Sequence, residues 1–230
     1  MSRPAVSIQS SGGWTFGSPS VLMMFYRAPG ELESELAEMD ECMPHYYKIT
    51  GNHGQGAETI MHAEAAFMQG RFTDAHIALE RAYAQIEGNG QENMALCCDF
   101  LARRLSLFTD IGQRAKLEKR RERLLAHHNV SWLNLWNAAA AYHHALLGST
   151  DSIPEAYRRH RLFTVRTLAP GKPMIEMIEN QVYLAQGEYA HVIGRSEGLL
   201  TQCEAMHYAL VALHIRIQTA AAYEMLGKHI

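Results

Sequence analysis

The chain has 230 residues, 47% of them apolar and 20% charged, with a formal net charge of −3. That is the make-up of a folded globular chain rather than a disordered one. The slightly acidic balance gives no global attraction to nucleic acid or an anionic membrane, and the longest early apolar run, Val21–Tyr26, is too short for a signal-peptide core or a membrane span.

The chain opens on a polar stretch, SIQSSGGWTFGSPS, that reads as a loop entering a helix at Pro19. GNHGQG at 51–56 reads as a glycine-rich connector between helices; it has no lysine of the kind a phosphate loop carries. Ala57–Met68 is rich in strong helix formers. Gly70 then permits a tight turn, and Thr73–Ile86 resumes a helical apolar spacing. Small residues at Ala63, Ala75 and Ala82 let the two helices approach, and Phe72 is placed to wedge into their seam. The stretch is therefore a helical hairpin.

The hairpin signal recurs. Turn positions fall at Gly30, Gly70, Asp110, Gly148, Gly187 and Gly227, in steps of 40, 40, 38, 39 and 40. A fixed period near forty predicts stacked helix pairs. Rings flank the glycine in YLAQGEY (Tyr183, Tyr189) and precede it in YEMLG (Tyr223). The fold class expected is all-α: a right-handed superhelix of stacked antiparallel helix pairs, tetratricopeptide-like with a period of about 40, forming one repeat domain over 1–230. The third copy has Asp110 at the glycine position, and the fourth carries extra turn residues, GSTDSIP, before Ala156. The last helix, Tyr208–Leu226, is apolar and expects a partner surface. The chain is accordingly expected to be a fragment of a longer protein, or to have that end covered by another molecule.

Chemistry-bearing residues are scattered. Thirteen histidines include the pairs His127/His128 and His143/His144, and Glu58/His62 and His207/His214 have spacings that put each pair on one helix face. No H-E-x-x-H and no compact Cys/His cluster is present, so no metal is expected. The four cysteines, Cys42, Cys97, Cys98 and Cys203, form no C-x-x-C and read as reduced, buried thiols of a cytoplasmic protein. KLEKRRERLLAHH at 116–128 interleaves its bases with Glu118 and Glu122, the pattern of a solvated helix face. No catalytic triad or carboxylate pair stands out, so the chain reads as a non-enzyme.

If the array binds something, the first helix of each pair lines the inner surface. Aligning the turn positions puts Glu64, Arg104, Tyr142 and Gln181 at one equivalent place, with Phe100 and His214 near the same surface. This mix of ring, charge and amide suits a peptide or a polar small molecule.

Two stretches carry a resemblance. WTFGSPSVLMMFYRAPGELESELAEMDECMPHYYKITGNHGQGAE (14–58) and HAEAAFMQGRFTDAHIALERA (62–82) resemble the helical repeat region of large LuxR-type, MalT-like transcriptional regulators. The resemblance is clearest over 14–110. It implies a signal-sensing or protein-interaction module that binds an effector or partner on its concave face. In that family a nucleotide-binding module precedes the repeats and a helix-turn-helix follows. This chain has neither a G-x-x-x-x-G-K-[ST] loop nor a terminal DNA-binding segment. No cofactor is therefore expected in this segment, and DNA would be reached only through a helix-turn-helix module absent from this chain. A protein or small-molecule effector is the expected partner, with an oligomer possible and no membrane. A free-standing tetratricopeptide-like scaffold for protein–protein interaction is the alternative.

Overall fold

A computed structural model describes residues 32–52, 54–87, 92–109, 114–127, 130–161 and 171–227. The described residues are all-helical, with no strand among them. Ten α-helices follow in chain order: α1 (Leu32–Thr50), α2 (Ala57–Met68), α3 (Phe72–Glu87), α4 (Glu92–Leu105), α5 (Arg114–Ala126), α6 (Val130–Leu146), α7 (Glu155–Arg158), α8 (Lys172–Ala185), α9 (Tyr189–Ala205) and α10 (Ala209–Met225). A 3₁₀ turn at Thr150–Ser152 precedes α7.

The hairpin expected around Gly70 is present as α2 and α3. Gly70 lies at φ +74°, in the left-handed region where a Cβ is disfavoured. Its N–H bonds the carbonyl of Phe67 at 3.0 Å, and the N–H of Arg71 reaches back to Ala66 at 2.9 Å. This paired closure ends a helix by satisfying carbonyls left without an intrahelical donor. Ala63, Ala75 and Ala82 are fully buried in the seam, as their small size suggested. Phe72 sits at the edge rather than deep within it, stacked on Phe108 at 4.8 Å and tilted against Phe67 at 5.8 Å.

The same two-bond closure recurs at Gly148 and Gly187. It also recurs where no glycine stands. His160 (φ +51°) and His207 (φ +58°) hold the left-handed position after α7 and α9. The bonds His207–Glu204 and Tyr208–Cys203 copy those around Gly70. A search for glycines therefore finds the turns inside pairs and misses the turn that joins α9 to α10. Gly30 and Asp110, two of the six periodic positions, lie outside the described residues, as do the opening loop and residues 228–230.

Packing follows chain order. α2, α4, α6, α8 and α10 form a layer in which each helix touches the next. The second helices pack on this layer: α3 on α2 and α4, α5 on α6, and α9 on α8 and α10. The fourth pair departs from the pattern, since its second helix is the four-residue α7. One apolar core runs through the array from Met39 to Ile215, and a smaller cluster joins Leu96, Leu124, Trp136 and Ala140. The connector 51–56 behaves as expected, with four of its residues at positive φ. Tyr47 bonds the Gly54 carbonyl at 3.3 Å and the Glu58 carboxylate.

The basic segment needs one correction. Lys116, Lys119, Arg121 and Arg123 are exposed beside Glu118 and Glu122. Arg120, however, is 1% exposed and pairs with Asp99 of α4. Its spacing from Leu117 and Leu124 puts it on the buried stripe of α5, so the helix with the solvated basic face is anchored on its other side by its middle cation. Of the cysteines, Cys98 and Cys203 are buried and Cys97 is half-buried, whereas Cys42 is exposed; all four are free thiols.

Candidate functional site

Helix α4 turns two unlike faces to its neighbours. Cys97, Phe100 and Arg104 recur at i, i+3 and i+7 along one stripe. Asp99 and Arg103 lie on another. The first stripe meets α2 and α6, and the site is built there.

Arg104 donates from Nη2 to Oε2 of Glu64 on α2. Its guanidinium lies over the Phe67 ring at 4.9 Å and over the Phe100 ring at 4.7 Å. Rings at this distance attract the cation through their quadrupoles and shield the ion pair from water. Phe100 in turn meets Tyr142 of α6 with ring centroids 5.9 Å apart. Three helices, α2, α4 and α6, thus converge on one cation.

Glu64 is only 1% exposed, and its second oxygen, Oε1, is buried without a hydrogen-bond partner. A buried acceptor left unmade is costly, on the order of 1–3 kcal/mol.

The groups around the pair are held uncharged. Burial pushes the Tyr142 phenol up, against a smaller opposing pull from Arg104. Burial lowers His214 of α10 below its ordinary value, and the positive charge of Arg104 lowers it further. Arg104 is thereby felt from α4 as far as α10. Burial, with the nearby charges of Glu64 and Asp99, pushes the Cys97 thiol up to about 12.

Five of the six residues singled out from the sequence belong to this cluster: Glu64, Phe100, Arg104, Tyr142 and His214. Their burial differs from expectation. They were read as lining an inner surface, but Glu64 is enclosed and Tyr142 is 7% exposed, because the first helices pack closely enough to bury their facing side chains. Phe100, Arg104 and His214 keep partial exposure. The sixth, Gln181, is engaged elsewhere: Gln218 of α10 donates to it at 3.1 Å and to the Met177 carbonyl at 3.0 Å. Phe67 was not singled out, although its i+3 spacing from Glu64 on a helix was the available signal.

The paired-histidine expectations resolve differently. Glu58 goes to Tyr47, while His62 bonds Asp40 at 2.9 Å, so the two do not meet. His207 serves a turn and His214 the Arg104 cluster. His143 and His144 touch edge to face at 5.4 Å, with His143 Nδ1 2.9 Å from the Arg103 carbonyl. His128 lies outside the described residues. Among the described residues no group of three His, Cys, Asp or Glu side chains could hold a metal ion.

A second cluster joins α7, α8 and α9. Arg195 donates to Glu179 at 2.6 Å, and His160 lies 3.5 Å from the other Glu179 oxygen. The His160 ring stacks on Tyr183 at 3.7 Å, and His191 stacks parallel to Tyr183 at 5.1 Å. Gln186 Oε1 accepts from His160 Nε2 at 2.7 Å and its Nε2 donates to the Arg158 carbonyl at 2.9 Å, tying the turn after α7 to the end of α8.

Compared with known proteins, the chain matches no family model, no curated protein and no solved structure. No helix among the described residues is long and apolar enough to cross a membrane.

Proposed function

We propose that the chain is the signal-sensing or protein-interaction module of a LuxR-type, MalT-like transcriptional regulator, and that its layer of first helices winds as a right-handed, tetratricopeptide-like superhelix. The observation that carries the binding role is the Glu64–Arg104 pair, set among Phe67, Phe100 and Tyr142 with one carboxylate oxygen unpartnered. Residues from α2, α4 and α6 meet there, and the charge on Arg104 acts on α10. A ligand at that point touches several repeats at once. It therefore favours one curvature of the array over another, and curvature is the output such a module passes to its neighbours. DNA contact would belong to a helix-turn-helix outside this chain, and the setting would be the cytoplasm.

The test is the reading frame of the native gene. A nucleotide-binding module before these residues and a helix-turn-helix after them supports the regulator. A native product without a DNA-binding module removes it.

The scaffold alternative is favoured by a different observation. Leu213, Ile217 and Met225 of α10 are exposed at 45%, 57% and 64%, and Leu213 and Ile217 share a helix face. Such a face suits a protein partner. A pull-down that depends on Ile217 and is indifferent to Phe100 would support it over effector sensing.

A further inference from the structure

We infer that the Arg104 site takes an uncharged ring-bearing small molecule with an N–H or O–H donor, and that it rejects anions despite its arginine. The inference rests on the effector-binding reading and specifies its ligand.

Three observations lead there. First, the arginine's charge is already offset within the fold, since Glu64 accepts from it and is itself enclosed. An incoming carboxylate or phosphate would meet the Glu64 charge at close range in a poorly solvated setting, where like charges repel strongly. Second, Glu64 Oε1 is a buried acceptor without a hydrogen-bond partner. Only a donor satisfies it, and a ligand without one leaves the cost of that buried oxygen in place. Third, the remaining surroundings are rings: Phe67, Phe100 and Tyr142. Flat apolar surface packs on such walls. The histidine, phenol and thiol at the site are all held neutral by burial, so none of them supplies a charge for an ionic ligand.

Three probes with a common ring separate these requirements. Phenol is neutral and donates, anisole is neutral without a donor, and benzoate is an anion. Each is titrated into the purified full chain near neutral pH, with binding read by ligand-observed NMR. Phenol should bind most tightly, anisole about tenfold more weakly for the lost bond, and benzoate weakest. Phe100→Ala should weaken phenol about tenfold or more.

Glu64→Gln removes the negative charge that offsets Arg104, so it should invert the order and make benzoate the tightest of the three. Circular dichroism checks that this variant is folded. If it is not, the wild-type order together with Tyr142→Phe, which spares the ring and should leave phenol ahead of benzoate, decides the matter.

Benzoate equal to or tighter than phenol on the wild type, in a manner lost with Phe100→Ala, overturns the ligand class and leaves the site standing. Probe binding indifferent to Phe100, or no saturable binding, overturns the ligand class and the effector-binding reading together.

Discussion

Helix α4 carries two arginine–carboxylate pairs that look alike in a list of contacts and differ in what they leave over. On one face Asp99 accepts from Arg120 on one oxygen and from the Tyr83 hydroxyl on the other at 2.8 Å. Both oxygens are used, and Asp99, Arg120 and Tyr83 are each about 1% exposed. On the opposite face Glu64 accepts from Arg104 on one oxygen only, beside rings that keep partial exposure. The saturated pair clamps α5 to α4 and has nothing left to offer a ligand. The unsaturated pair holds α2 to α4 and does. Chemical type alone does not separate the two pairs; the second carboxylate oxygen does, bonded in Asp99 and unmet in Glu64.

The largest expected effect breaks the saturated side. Asp99→Ala leaves Arg120 buried without its carboxylate and Tyr83 without its acceptor. Loss of one partner of a buried pair should cost about 3–5 kcal/mol, read as a lower midpoint in urea unfolding. A cost below about 1 kcal/mol would mean that Asp99 is not the clamp. Tyr83→Phe removes one hydroxyl and should cost about 1 kcal/mol by the same measurement.

The turns sharpen the contrast between residues that fold the chain and residues that act. Gly187→Ala introduces a Cβ at φ +78° with nothing within 4 Å of it. The penalty is purely conformational, about 1 kcal/mol. His207→Gly makes the reverse change at φ +58° and should be neutral or stabilising by up to about 1 kcal/mol. If His207→Gly destabilised clearly, the histidine would have a role beyond the turn.

The smallest effect is a slope. His214 titrates lower in the folded chain than its ordinary 6.5. The unfolded chain therefore binds the proton more readily as pH falls below about 6.5. The contribution of the neutral imidazole to stability is complete above that value and is lost as pH falls through the depressed folded value. His214→Gln should flatten the decline in melting temperature between neutral and mildly acidic pH. His143, lowered by burial and by Arg103, contributes a slope of the same sign that survives in that variant.

Much of the helical hairpin pattern was legible because it depends on local spacing. Ala57–Met68 was read with its observed bounds, and the apolar helix ending the array was read within a residue of Ala209–Met225. The turn at His207 was not legible as a glycine, since a histidine there tolerates the left-handed backbone at modest cost. The site was legible in part. Repeat alignment brings Glu64 and Arg104 to equivalent places on neighbouring first helices, and equivalent places in stacked repeats are neighbours in space. What alignment cannot give is burial. Glu64 and Arg120 are ordinary surface residue types, and only the partner each meets across a helix interface encloses it. Gln181 shows the converse: it shares the alignment position, but a glutamine on α10 reaches it first.

The most direct test compares the two faces of α4 in one experiment. Phenol is titrated into protein with isotope-labelled aromatic rings and followed by NMR. The account predicts saturable shifts at Phe67, Phe100 and Tyr142, with Tyr83 and Trp136 on the other side unmoved. Shifts confined to Tyr83 and Trp136, with Phe100 and Tyr142 silent, would contradict it and put recognition on the face assigned here to structure.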